Sequence, residues 1–280
     1  MQYQIDPTSK IAALHSQFGV SAFFKIYSSP DKSNSAHSIA AIYQGGLGLP
    51  DRDYYFDADK AEKREKYVSY IALILGLVGS YGGSGFAQYL DENRNKQFAQ
   101  EILQFETQIA GFHLTRTESR DPNKTFNKMS LDKLVDISKP PLTWGTYLAR
   151  GNNSHSLFDW RKYFELIGKG PSEVGEINVA TVEAIKGFPP LLESPTLTHY
   201  LVFHVVSNFA PHLSTPFSVA HFEFYQKYLE GTQEQKPRWK RALAVLESAL
   251  GEALGQLYVA KHFSGDSKPK VFAHENSSIY

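Results

Sequence analysis

Phe98-Ala-Gln-Glu-Ile-Leu-Gln-Phe-Glu-Thr-Gln-Ile-Ala-Gly-Phe112 sets large apolar side chains at 98, 102, 105, 109 and 112. Steps of four and three track the 3.6-residue turn, so all five fall on one stripe of a helix. Five such groups on one stripe require a second helix against them. The upstream stretch from Asp59 carries a stripe of its own, Tyr67, Ile71, Ile74, Leu75 and Val78. Gly79 is expected to end that helix, and GSYGGSG (79–85) to form a flexible loop.

The helical period recurs along most of the chain. Asp6-Pro7-Thr8 starts a helix carrying Ile11, Leu14 and Phe18, and Gly19 stops it. Ser130 and Asp159 are placed to cap two further helices, the first stopped by Lys139-Pro140-Pro141 and the second carrying Trp160, Tyr163, Phe164 and Ile167 up to Gly168. A break at 187–190 precedes the stripe Leu197, Tyr200, Leu201, His204 and Val205, which Pro211 disrupts. Thr215-Pro216 opens a helix with Phe217, Ala220, Phe224 and Tyr228. Pro237 opens the last, with Trp239, Leu243, Leu246, Leu250, Leu254 and Leu257. Gly251 and Gly255 sit one turn apart there, and close approach of a neighbouring helix is the expected reason. The β signal is confined to 22–27 and 38–43, with a turn by composition at 28–35. The expected fold is therefore mainly α, a large irregular multi-helix domain with at most one small β-hairpin near residues 22–43.

Composition excludes several classes. Of 280 residues, 42% are hydrophobic, enough for a substantial core. Lys+Arg and Asp+Glu are both 29, so no net field draws nucleic acid or an anionic membrane. The absence of cysteine rules out disulfides and thiolate metal sites. The longest apolar run, Tyr70 to Val78, is about half of the ~20 residues that cross a bilayer. The N-terminus has no signal-peptide pattern, so the chain as written reads as soluble, without an anchor, and its compartment is left open.

Catalytic motifs are missing as well. A helical zinc site of the H-E-x-x-H type needs two histidines four apart, with a glutamate between them to polarise the bound water. The histidines are 15, 37, 113, 155, 199, 204, 212, 221, 262 and 274, and no two are four apart. His199 and His204 are five apart and diverge around a helix, while His274-Glu275 is followed by Ser at 278. G-x-S-x-G does not occur, and Gly82-Gly83-Ser84-Gly85 reads as a loop, not a phosphate cradle. No catalytic, cofactor-binding or metal-binding residue is assigned. Asp51-Arg52-Asp53-Tyr54-Tyr55 could form a polar site, but reads better as a salt-bridged turn with two tyrosines packed beneath it. Arg116 to Asn123 reads as a charged turn that pairs locally, and Pro237 to Arg241 as a helix start with Trp239 buried.

Two segments resemble signatures of the neprilysin-type zinc metalloendopeptidase family: Gln44-Gly-Gly-Leu-Gly-Leu-Pro-Asp-Arg-Asp-Tyr-Tyr55 and Glu234 to Phe263. The likeness extends over residues 10–268. It takes in Asp31 and Asn34, Glu106, Arg120-Asp121-Pro122, Phe126-Asn127-Lys128-Met129, Phe158-Asp159-Trp160, Gly231-Thr232, Gly251, Gly255 and Leu257-Tyr258-Val259. Ala242 stands where the family commonly has cysteine, and after Lys268 the segment PKVFAHENSSIY departs from the family. The resemblance implies the family's N-terminal helical lobe at 1–263, truncated at its start, with 264–280 beginning the linker to a catalytic lobe. It implies an early-ended or misassembled reading frame. It places zinc, the H-E-x-x-H motif and the distal glutamate of full-length members outside this chain. The expected function is thus that of the helical lobe of an oligopeptide-cleaving enzyme, inactive alone and meeting its oligopeptide only together with the catalytic lobe. The alternative is a non-catalytic helical peptide-binding or interaction module.

Overall fold

A computed structural model of the chain describes residues 6–139, 157–170, 173–263 and 265. The chain divides into two compact units, residues 1–229 and 230–280. The first unit runs α1 (Pro7–Phe18), β1 (Phe24–Asp31), β2 (Asn34–Gln44), α2 (Asp53–Phe56), α3 (Ala61–Tyr81), α4 (Glu92–Gly111), α5 (Pro122–Thr125), β3 (Lys128–Met129), α6 (Leu131–Ile137), α7 (Trp160–Leu166), β4 (Ile177–Val179), α8 (Val182–Gly187), α9 (Leu197–Phe209) and α10 (Thr215–His221). A π-helix, Phe222–Leu229, continues from α10. The mainly helical class read from the sequence is what the structure has. Among the described residues no helix is long and apolar enough to cross a membrane.

The helix ends follow local chemistry. The Asp6 side chain accepts from Ser9 N at the start of α1, and Gly19 closes it at φ 63. Asp159 and Ser130 cap α7 and α6 as expected, accepting from Lys162 N and Lys133 N. The stripes of α3 and α4 pack against each other. Tyr67, Ile71, Ile74, Leu75 and Val78 on one, and Ile102, Phe105 and Ile109 on the other, are all in the core. Phe18 is a correction, because it is exposed at the end of α1 while Ile11 is buried. Pro140-Pro141 and His274-Glu275 lie outside the described residues.

Gly79 does not end its helix. α3 continues to Tyr81, and a Cβ at Gly79 would come within 2.5 Å of the Tyr89 backbone. The glycine marks a close crossing and not a stop. The segment it was expected to open is also ordered, as a 3-10 turn at Ser84–Leu90.

The hairpin exists and is longer than its composition suggests, because β1 and β2 run together through Ser29↔Ile39 and Pro30↔Ser38. It is also extended. β4 pairs parallel to β2, and β3 pairs antiparallel to β4, giving the order β1-β2-β4-β3. Strands of two and three residues are too short to show a period, which is why the sequence does not announce them. Beneath the sheet lies an aromatic cluster in which Phe24 packs on Phe158, Trp160, Tyr163 and Phe188 at 5.0–5.8 Å. The Trp160 indole N–H donates to Ser138 Oγ at 2.7 Å.

In the second unit α11 (Arg238–His262) opens after Pro237 as read. It bends at Leu250 and none of its residues is buried. Trp239, expected to be buried, is 64% exposed, with Lys240 Nζ 5.4 Å from its ring. A Cβ at Gly251 or Gly255 would meet nothing within 4 Å among the described residues, so no close helix approach is made to them within the second unit. Periodicity reports an apolar face, not what covers it.

Candidate functional site

The loop that leaves β2, Gly45 to Asp51, is held at almost every residue. Gln44 begins it with a side-chain amide that acts like a short β-pair. Its Nε2–H donates to the Leu114 carbonyl at 3.2 Å, and Leu114 N–H donates to its Oε1 at 2.7 Å. Gly45 N–H donates to the Phe23 carbonyl. Gly46 has φ +84, and a Cβ there would lie 2.5 Å from both Phe23 N and the Tyr200 hydroxyl, so glycine is required twice over. That hydroxyl, from α9, donates to the Gly46 carbonyl at 2.9 Å. Tyr225, from the π-helix, donates to the Gly48 carbonyl at 2.9 Å.

Behind the loop stands Glu106 of α4, with no exposed surface. Its carboxylate accepts from Gly48 N–H at 3.3 Å, the Tyr55 hydroxyl at 2.6 Å, the Tyr67 hydroxyl at 2.9 Å and His204 Nε2–H at 2.7 Å. Burial raises the Tyr55 and Tyr67 phenols well above their ordinary range, and the Glu106 charge adds to it. They therefore stay protonated donors at any ordinary pH. Tyr55 also receives Leu49 N–H at 3.0 Å. The Asp51–Tyr55 cluster is a turn only at Asp51 and Arg52, and Asp53 to Tyr55 lie in α2. Arg52 faces Asp53 at 3.6 Å, and Tyr55 packs beneath, but Tyr54 is only partly buried and forms wall surface.

The outer side of this loop walls an open cleft of about 760 Å³ in the first unit. That volume is in the range of small-ligand sites. Other wall residues are Lys25 and Tyr43 of the hairpin, His113, Leu114 and Arg116 after α4, Phe203, His204, Ser207 and Asn208 of α9, and His221 and Tyr225. A π-helix is rare and tends to mark functional positions. Here it lets successive residues, Phe224 and Tyr225, both contact Tyr70, one stacked at 4.9 Å and one edge-on at 5.3 Å. The sequence reading expected an ordinary helix at 224 and 228, because a π-turn leaves no period of its own over eight residues.

Burial holds the imidazoles of His15, His113 and His221 well below their usual 6.5, each to about 4. The sign follows directly. A depressed folded-state value means the unfolded chain binds more protons between about pH 4 and 6.5, so stability is full above 6.5 and drains away as pH falls towards 4. For the two most buried, His15 and His113, the loss is roughly 3 kcal/mol apiece. Urea midpoints at pH 7 and pH 4.5 measure it, and equal midpoints would contradict the burial argument.

The described histidines do not assemble. His199 Nδ1 meets the Tyr89 hydroxyl at 2.7 Å and its ring stacks on Phe98, while His204 turns to Glu106. His15 donates through Nε2 to the Ala22 carbonyl, and its Nδ1 accepts from Tyr163. Among the described residues no group of three His, Asp or Glu side chains is placed to hold a metal ion. In the 116–123 segment Glu118 pairs with Lys124, just beyond it, at 2.7 Å, while Arg116 forms no ion pair among the described residues, so the local-pairing reading holds only in part. Gln44, Glu106 and Tyr225 were not singled out as site builders. A lone polar residue inside an apolar helical stripe, as at Glu106, is the signal that could have found one of them.

Comparison with known proteins agrees with this architecture. The N-terminal profile of peptidase family M13 matches residues 2–274. Endothelin-converting enzyme 1 of Rattus norvegicus is 29% identical over 268 residues, 93% of this chain and 31% of that protein. Membrane metallo-endopeptidase-like 1 of Mus musculus is 26% identical over 94% of this chain and 33% of its own length. The zinc metalloprotease Zmp1 of Mycobacterium tuberculosis, in its inhibitor complex, superposes with TM-score 0.80 at 26% identity, over 97% of this chain and 38% of that one. PepO of Lactobacillus rhamnosis shares the fold at TM-score 0.69 and 16% identity, over 95% of this chain and 38% of that one. The chain spans about a third of the length of the curated relatives it matches. With its glycine loop, its helical frame and a profile match over nearly its whole length, the chain belongs to peptidase family M13, in the N-terminal helical region of the neprilysin-like zinc metallopeptidases.

Proposed function

We propose that this chain acts as the helical lobe of an oligopeptide-cleaving metalloendopeptidase and cleaves nothing by itself. The observation that carries this reading is the match of residues 2–274 to the N-terminal profile of the family, while the chain covers only 31% of a full-length relative. The lobe extends over residues 1–263, to the end of α11, and 264–280 begins the passage towards a catalytic lobe. The side chains described do not fit the zinc of the relatives. His15, His199 and His204 each spend a ring nitrogen on a separate partner in the fold, and no third carboxylate or imidazole joins any of them. No hydrolytic step is therefore assigned to these residues. No nucleic-acid partner is proposed either, given the balanced charge of 29 against 29.

The second reading, a peptide-binding module without hydrolysis, is favoured by the cleft, whose glycine wall is fixed before any ligand arrives. One assay tests the first reading. The purified chain is incubated with a quenched fluorescent oligopeptide and added zinc. We expect the rate of a chelated control, and zinc-dependent hydrolysis above that control would overturn the claim of inactivity.

A further inference from the structure

The cleft carries positive charge that the fold itself does not use. Lys25 and Arg116 stand on its wall, both exposed, and neither side chain forms an ion pair or hydrogen bond among the described residues. Against them the wall offers one carboxylate, Asp51, and one of its oxygens is turned to the backbone N–H of Asp53 at 3.1 Å. The excess is local, because the whole chain is formally neutral. Two cationic charges, those of Arg52 and Lys25, also bear on His113 and help hold its imidazole uncharged. His113 is on the same wall and 8% exposed, but its Nε2 is buried and without a hydrogen-bond partner among the described residues, so it offers nothing to a ligand in the cleft. Unpaired cations beside a rigid glycine wall suit an anion more than packing. Beside it the wall is mixed polar and apolar, with Leu47, Tyr54 and Phe203, which suits the rest of a peptide.

We propose that this cleft seats the carboxylate of a short peptide against Lys25 and Arg116. The inference rests on the peptide-lobe reading above and narrows its ligand. Carboxylates come from two sources, a free C-terminus or an Asp or Glu side chain, and both offer the same oxygens to a lysine and a guanidinium.

Fluorescence anisotropy with the full 280-residue chain separates the cases. Three labelled pentapeptides share a neutral apolar sequence. The first has a free C-terminus, the second is amidated, and the third is amidated with one internal Asp. A carboxylate-bearing peptide is expected to bind about tenfold more tightly than the neutral amide, as one charge-assisted contact pair allows. The advantage should shrink with added salt. Gain by the first peptide alone assigns the site to a terminal carboxylate, and gain by the third alone assigns it to an acidic side chain. The K25A/R116A double variant alters two exposed side chains, so its thermal melt should match the parent while the advantage disappears. Equal binding of all three peptides, or an advantage that survives the double variant, overturns the carboxylate assignment and leaves the peptide-lobe reading standing. Absence of saturable binding by any peptide removes the carboxylate assignment together with the peptide-binding reading.

Discussion

Gly48→Ala is expected to destabilise the first unit by about 3 kcal/mol or more, a fall in Tm of roughly 10 °C. The new Cβ would stand 1.8 Å from the Tyr67 hydroxyl and 2.7 Å from Cζ of the same ring. A surface tyrosine would swing aside, but Tyr67 has nowhere to go. Its hydroxyl donates to Glu106, and its ring lies 5.6 Å from Phe224 and 5.9 Å from Phe203. Either the loop moves outward, losing Gly48 N–H to Glu106 and the Tyr225 bond to the Gly48 carbonyl, or the tyrosine leaves the carboxylate. Each lost buried bond costs about 1 kcal/mol beyond the strain of overpacking. Gly111→Ala is the control. A Cβ there meets nothing within 4 Å at the end of α4, and it should be neutral or slightly stabilising. Tyr67→Phe in the Gly48→Ala background removes the atom struck first, so the double variant should lose less than the sum of the singles. A Gly48→Ala melt within 2 °C of the parent would show that the loop is not clamped as described.

That result bears on how much could be read before any coordinates. The stripes on α3 and α4 were legible because Phe98, Ile102, Phe105, Ile109 and the Tyr67–Val78 residues carry the period in their own spacing, but that they pack on each other is a finding of the structure. The caps at Asp6, Ser130 and Asp159 were legible because one short polar side chain at a helix start has one favourable use. The glycines were half legible. Three of them with Pro50 announce a non-element at 45–50, but whether a glycine ends a helix, permits a close crossing or holds a positive φ depends on atoms far away in sequence. Gly79 faces the Tyr89 backbone, Gly48 faces Tyr67, and Gly251 faces nothing. The cleft was not legible, because Lys25, Gly46, Arg116, His204 and Tyr225 come together only through the crossing of the hairpin, α9 and the π-helix. The tyrosines at 54 and 55 show the same limit. Adjacent in sequence, one reaches the buried carboxylate and the other faces the cleft.

Glu106 is the residue on which that convergence depends, and Glu106→Leu should have the larger effect on the site. Leucine keeps the volume close to that of the native side chain and removes the acceptor of four donors at once. Gly48 N–H, the two phenols and His204 would all lose their shared partner, and the two phenols are buried away from solvent. Breaking one side of a buried charged hydrogen-bonded set costs about 3–5 kcal/mol, several times the ~1 kcal/mol of a single neutral bond. Glu106→Gln is the discriminating companion. It keeps shape and one acceptor oxygen, but presents an NH₂ to groups that are themselves donors, so it should fall between Glu106→Leu and the single-spoke variant Tyr55→Phe. The ordering Tyr55→Phe, then Glu106→Gln, then Glu106→Leu in loss of unfolding free energy, measured in urea at pH 7, is the expected outcome. Were Glu106→Leu no worse than Tyr55→Phe, the loop would be held by Gln44, Tyr200 and Tyr225 alone. The buried carboxylate would then be a passenger in the core, with no part in shaping the wall of the cleft.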